Sequence, residues 1–210
     1  MLPDGQTHLQ KTEDKLEFTV EDIYPTSTRY QPLRDRDLHI IESSENYVSR
    51  MRISVLPNWP NELLTEWLYR HAESIEKYTF LQFESFTFAR DRWKLANIPR
   101  RESFEKESFC DDFCRIKERA HDGHDWLANY MLREGTWNTP VVFLGNTFAQ
   151  HRFPDGKLMK APYHLLEGHR RLSFLVGLRK LRRANPEHDI WVVTAPLAAA
   201  SESKKKKAVP

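Results

Sequence analysis

The apolar positions of this chain change period several times, most sharply in its last third. "PVVFLGN" (140–146) runs through β-branched and apolar residues without polar alternation, which predicts a strand buried on both faces. "YHLLEG" (163–168) predicts a second such strand, and "DIWVVTAP" (189–196) a third, closed by Pro196. Between the last two, "RRLSFLVGLRKLRR" predicts a helix. Leu172, Leu175 and Val176 share one side of it, while Phe174, Leu178 and Leu181 share another, so the helix is expected to be buried on more than one face. "DWLANYMLRE" predicts an amphipathic helix in which Trp126 and Leu127 recur four residues later as Tyr130 and Met131, with Gly135 as its stop. "HRFPDGKLMKAP" predicts a loop or hairpin turn around Asp155-Gly156.

Upstream the signal is weaker. "LEFTVEDIYP" (16–25) alternates as a strand ending in a turn, and "YVSRMRISVLP" (47–57) predicts a second strand. "NWPNELLTEWLYRHAESIEKY" predicts a helix, with Leu63, Leu64, Trp67, Leu68 and Ile75 at helical spacing. In "FLQFESFTFARDRWKLANIP" the phenylalanines at 80, 83, 86 and 88 fit no single period; they are expected in the core rather than in a base-stacking platform. Residues 104–120 predict a highly charged helix that packs one face. Helix, strand, strand, helix, strand makes an α/β (α+β) fold, a small mixed sheet with packed helices.

Length and composition narrow this picture without changing it. The chain has 210 residues, enough for one domain with a sizeable core. With 40% hydrophobic residues, 7 Gly and 12 Pro, it is neither fibrous nor of low complexity. No apolar run approaches the roughly 20 residues of a membrane helix, and the N-terminus lacks a secretory core, so the expectation is a cytoplasmic protein without a membrane partner. Residues 1–15 and the basic tail 197–210 are expected to be disordered, around one domain at 16–196 with a helical insertion at about 58–124. Net charge is only +2, yet "RKLRR" and "KKKK" concentrate positive charge. They suggest nucleic acid as a secondary partner, through Arg179, Arg182, Arg183 and Lys204–Lys207. Cys110, Cys114, His121 and His124 have a superficially zinc-like spacing. In one helix, however, the first and last lie roughly 20 Å apart, so no zinc is expected unless the chain breaks before Gly123.

The chemistry concentrates at "EGHRR" (167–171), in the seam between a buried strand and a helix. A helix begun at Gly168 presents unpaired backbone N–H groups and a positive dipole end, which favour an anion. Arg170 and Arg171 carry donor forks that suit phosphate, and His169 can move a proton near neutral pH. Glu167 then makes sense as a general base, a metal contact or an orienting partner for an arginine, and as an (i, i+4) partner it suits Arg171. Because Arg170 and Arg171 lie about 100° apart around the helix, Arg170 is expected to meet phosphate and Arg171 to pair with Glu167. The motif is neither a Walker loop nor a dinucleotide fingerprint.

From Trp126 to Val193 the chain resembles the ParB N-terminal-domain and sulfiredoxin superfamily, through "LANYMLREGTWNTPVVFL", "YHLLEGHRRLSFLVGL" and "DIWVV"; "VEDIYPTSTRYQPLRD" is similar to its opening strand and proline turn. Gly135 to Pro140 is longer than the family's Gly-x-x-Gln-Pro box and lacks its glutamine. His169 replaces the acid of Gly-Glu-Arg-Arg and also the cysteine of sulfiredoxins, so sulfiredoxin chemistry is not expected. "EGHRR" is closer to the superfamily's free-serine kinases, and no helix-turn-helix follows. The resemblance implies a ParB/sulfiredoxin-like core that binds a nucleotide or another phosphate ligand. Gly168, Arg170 and Arg171 would hold phosphate, Glu167 and His169 would handle the proton, and Asn138 and Thr139 would add contacts. Phosphoryl transfer or nucleotide hydrolysis, with Mg²⁺ and a nucleoside triphosphate, is the implied chemistry. A non-catalytic nucleic-acid- or protein-binding module, or a nuclease, remains the alternative.

Overall fold

The computed structural model describes residues 29–121 and 125–196. The expected strand at 16–25 and the "KKKK" tail lie outside these. The fold is mixed α+β, built on one four-stranded sheet in the order β1-β4-β2-β3. Strand β2 spans Val141–Gly145, β3 Tyr163–Glu167 and β4 Glu187–Thr194. The fourth strand, β1 (Thr87–Lys94), comes from the aromatic stretch that has no single period. Thus the span expected as a helical insertion also supplies a strand to the sheet. Strands β1 and β4 are antiparallel, β4 and β2 parallel, β2 and β3 antiparallel.

The uninterrupted apolar runs have the expected cause. Val142, Leu144, Trp191 and Val193 enter one core, while Val141, Phe143 and Ile190 enter the other. Strand β1 lies at the edge and is mostly exposed; Arg90, Asp91 and Arg92 put charge there, which discourages pairing with another chain. Asp189 of β4 binds Arg90 and Arg92 at 3.2 and 3.0 Å.

One face of the sheet is covered by the N-terminal half. Here the structure corrects an expected strand: residues Ser44–Ser54 form helix α1. Ser43 caps it by accepting the N–H of Asn46, and Tyr47 and Met51, four residues apart, are both fully buried. This cap and stripe outweigh the strand tendency of Val48, Ile53 and Val55. The next helix is less regular than its spacing suggests. Helix α2 (Asn61–Leu63) passes into a π-helical stretch, Leu64–Tyr69, then α3 (Ala72–Ile75) and a 3-10 turn, Glu76–Leu81.

The other face carries α4 (Glu107–Phe113), α5 (Ile116–His121), α6 (Trp126–Glu134) and α7 (His169–Lys180). The single helix expected over 104–120 is thus two, broken at Cys114. The break lays the Cys114 carbonyl against Gly177 of α7, where a Cβ would stand only 2.2 Å from that oxygen. Burial pushes the Cys110 thiol up to about 11; His124 lies outside the described residues. Gly135 ends α6 as expected. Trp126, expected on the packed side of α6, is instead 61% exposed, while Leu127, Ala128 and Met131 are buried. Helix α7 buries Leu172, Phe174, Leu175 and Leu178, hence more than one face. Around Asp155-Gly156 a tight turn closes, with the N–H of Phe153 donated to Lys157 O at 2.8 Å. Among the described residues no helix is long and apolar enough to cross a membrane.

Candidate functional site

Strand β3 ends at Glu167, and α7 begins two residues later. Gly168 makes the turn at φ +94°, in the left-handed region. A Cβ there would meet Val141 Cγ1 at 2.6 Å, so both backbone angle and neighbour demand glycine. Gly168 opens α7 as its N-cap, and no side chain caps the helix. The first-turn N–H groups are therefore available at the positive end of a 12-residue helix.

That end forms one wall of a cleft of about 780 Å³. Every site residue expected from the sequence lines it: Glu167, Gly168, His169, Arg170, Arg171, Asn138 and Thr139. Their roles differ from the expectation in detail. Arg171 is buried and pairs with Glu167, as the helical spacing predicts, and its Nη1 donates to Thr139 O at 3.0 Å. It pins the loop before β2 to α7 and has little left for a ligand. Arg170, the expected phosphate fork, lies over the rings of Phe113 and Phe174 and donates to Asp125 Oδ2 at 2.5 Å. Asp125 also caps α6, accepting the N–H of Ala128. Arg170 therefore ties two helices together.

His169 is half-buried, with the rings of Phe104 and Phe109 edge-on at 5.9 and 5.7 Å. Burial first, then Lys77, Arg171 and His71, push its pKa down to about 4. It is a neutral imidazole at pH 7, neither a cationic anchor nor a strong base.

The opposite wall supplies groups that the sequence reading missed. The π-helical stretch and the turn after it bring Glu66, Arg70 and His71 to the cleft; Lys77, Glu105 and Lys106 complete the polar lining. In the π-helix the N–H of Arg70 reaches back five residues to Thr65 O. This shifts the face presented by later residues, a shift that a 3.6-residue period does not register. His71 Nε2 stands 3.8 Å from Glu167 Oε1, with 52% of the His71 side chain and 13% of Glu167 exposed. Glu66 pairs with Arg70 at 3.1 Å and Glu105 with Lys77 at 4.0 Å. Burial lowers the pKa of Lys77. Five Arg and Lys residues face three Glu around the cleft, which is therefore net positive. Exposed Trp126 and partly buried Phe109 add flat apolar surface.

All three cleft carboxylates are engaged by cations, so they do not fit a preformed metal site. Among the described residues, only Asp35, Asp37 and His39 bring three potential ligand atoms within 4.8 Å of one another; all are exposed and none lines the cleft. Of the residues expected to touch nucleic acid, Arg182 and Arg183 are exposed, whereas Arg179 is half-buried and donates to Leu95 O and Ile98 O. No family model matches the chain, and no curated protein or solved structure matches it either.

Proposed function

We propose that the cleft at the β3–α7 seam binds a phosphate-bearing ligand, a nucleotide, with phosphate on the first turn of α7. The uncapped helix N-terminus at Gly168, opening into a net-positive cleft, carries this reading. The first-turn amides, with Lys77, Lys106 and Arg70 across the cleft, are the phosphate ligands; Arg170 and Arg171 hold the frame. The resemblance of "EGHRR" to ParB-type and free-serine-kinase boxes supports the choice of a nucleotide. If turnover occurs, it is phosphoryl transfer or nucleotide hydrolysis. His71, oriented by Glu167, then takes the proton, because it is the exposed imidazole of the cleft and His169 is held neutral by burial. Mg²⁺ enters with the nucleotide phosphates.

A panel of nucleoside triphosphates with Mg²⁺, read by thermal shift and calorimetric titration, tests binding. A ligand at 100 times its dissociation constant adds about 2.7 kcal/mol of stability, a clear midpoint shift. Lys77→Ala should weaken binding on the order of tenfold, the scale of one charge-assisted hydrogen bond. His71→Asn should abolish turnover and leave binding within about twofold. No shift with any nucleotide at millimolar concentration overturns the reading. Binding without turnover leaves a catalytically silent nucleotide module.

A further inference from the structure

At the far end of α7, ten residues and about 15 Å from His169, Arg179 is in an unusual position. Its Nη2 donates to Leu95 O at 2.5 Å and Ile98 O at 2.9 Å, which clamps the 3-10 turn Leu95–Asn97 against the helix. The clamp uses one nitrogen. Nε and Nη1 are closed off from water and have no acceptor, and they are the only buried side-chain nitrogen or oxygen atoms in that state among the described residues. Among the described residues no carboxylate lies within ion-pair distance of this guanidinium. Glu102, the acid that bears on it, accepts the Arg100 backbone N–H instead. Burial, reinforced by the charge of Arg100, pushes Arg179 down to about 10.

Guanidinium nitrogens closed off from water without an acceptor or a counter-ion are unfavourable, and native proteins rarely keep them without reason. Holding a 3-10 turn needs donors but no net charge. Beside Arg179 the surface opens into a groove of about 710 Å³. Arg100, Arg182 and Lys94 line it with Arg179, against the single acid Glu187. Leu95 and Pro186 give it an apolar wall.

We propose that this groove is a second binding site, independent of the β3–α7 cleft, for a small organic oxyanion. Its phosphate or carboxylate head lies among Arg100, Arg179 and Arg182, and its apolar body rests on Leu95 and Pro186. Arg179 supplies charge from beneath the groove, where low dielectric makes it most effective, and the exposed Arg100 and Arg182 close on the head. The pairing of cations with an apolar wall selects an organic anion over inorganic phosphate.

Calorimetric titration of the full chain with phenyl phosphate, inorganic phosphate and phenol tests this. Phenyl phosphate should bind, and tighter than either fragment. Arg100→Ala and Arg182→Ala alter exposed side chains and spare the clamp; each should weaken phenyl phosphate at least about threefold, a difference of about 0.65 kcal/mol. Arg179→Met should abolish binding if the variant folds. Lys77→Ala, in the other cleft, should remove only the phenyl phosphate bound at the seam and leave intact the binding that Arg100→Ala and Arg182→Ala weaken. The proposal is overturned by no binding at about 10 mM, by affinity that neither Arg100→Ala nor Arg182→Ala changes, or by a loss confined to Lys77→Ala. The variants separate the two sites: Lys77→Ala reports phosphate bound at the seam, and Arg100→Ala and Arg182→Ala report the groove.

Discussion

The layer of rings on one face of the sheet and the charged seam at the start of α7 are both built from side-chain interactions, but they use them differently. Trp59 is 2% exposed and sits among Trp67, Phe83, Phe86 and Phe88, with ring centroids 4.9 to 5.7 Å away. Its one polar atom is satisfied inside the layer, where the indole N–H donates to Phe83 O at 2.8 Å. Nothing is left over for a partner. In the seam, Arg171, Glu167 and Arg170 are also engaged, yet beside them lies a cleft lined by the uncapped start of α7 and by Arg70, Lys77 and Lys106. The ring layer spends its chemistry on stability. The seam uses side chains to fix geometry and leaves the first turn of α7 without a side-chain cap.

The largest expected effect is one that both regions share, since each encloses a neutral imidazole. His164, fully buried among Tyr78 and Phe153, is pushed down to about 3, and His169 in the seam to about 4, each mainly by burial. His188, buried under Trp137, also falls to about 4 for that reason. All three folded values lie below the unfolded value of about 6.5, so the unfolded chain binds protons first on acidification. Their stabilisation is complete above pH 6.5 or so and is lost as pH falls towards about 4, at about 1.4 kcal/mol per pH unit for each proton. Urea unfolding between pH 7.5 and 4.5 should show stability falling with a slope approaching three protons. His164→Gln and His169→Gln should each remove about one proton from it. A flat profile would mean that none of the three imidazoles is held neutral by its surroundings.

Trp59→Ala separates the regions. Loss of a fully buried indole should cost about 3–5 kcal/mol in urea unfolding at pH 7.5, as large-to-small core changes do. Lys77→Ala, a cleft residue with a half-exposed side chain, should stay within about 0.5 kcal/mol. A small loss at Trp59 would break the claim that the ring layer is the stabilising side.

Gly168→Ala acts on the seam itself. It places a Cβ at 2.6 Å from Val141 Cγ1 and forces a non-glycine residue to φ +94°. The expected cost is about 1–3 kcal/mol. Adding Val141→Ala should relieve the clash but not the backbone strain, so the double variant should be less destabilised than the sum of the two single changes. Full additivity would show that the contact is not what requires glycine.

The same contrast explains what the sequence made legible. In the last third, each strand is buried on both faces and each helix keeps one period, so "PVVFLG", "YHLLEG" and "DIWVVT" announce neighbouring strands, and "EGHRR" marks the switch between periods. The (i, i+4) spacing even gave the pairing of Glu167 with Arg171. In the first half the period itself changes. The π-helical stretch at Leu64–Tyr69 and the 3-10 turns at Glu76–Leu81 and Phe83–Ser85 each rotate the buried face, so Trp67, Tyr78, Phe83 and Phe86 reach one core from unrelated spacings. No single period could place Arg70, His71 or Lys77 opposite a glycine roughly a hundred residues later. The helix at Ser44–Ser54 was more accessible: Ser43, followed by Tyr47 and Met51, is a cap and stripe hidden among residues that favour strands.

Arg170 carries a small expected effect and the sharpest test, because sequence and structure give it different work. As a bare fork on the first turn of a helix it is the natural phosphate ligand. In the fold it lies over Phe113 and Phe174 and holds Asp125, with 46% of its side chain exposed. Arg170→Ala should therefore cost about 1 kcal/mol of stability, combining a partly exposed ion pair with a weak cation–π contact. In a double-mutant cycle, Arg170→Ala with Asp125→Ala should recover a smaller coupling, the ion-pair part alone, while Asp125→Ala alone should cost more because it also uncaps α6. Nucleotide affinity in Arg170→Ala should stay within about twofold of the parent, since the guanidinium is already spent on Asp125. A tenfold loss of affinity with an unchanged unfolding midpoint would reverse the assignment. The arginine would then leave Asp125 when ligand arrives, making the seam's side chains, like its backbone, part of what binds.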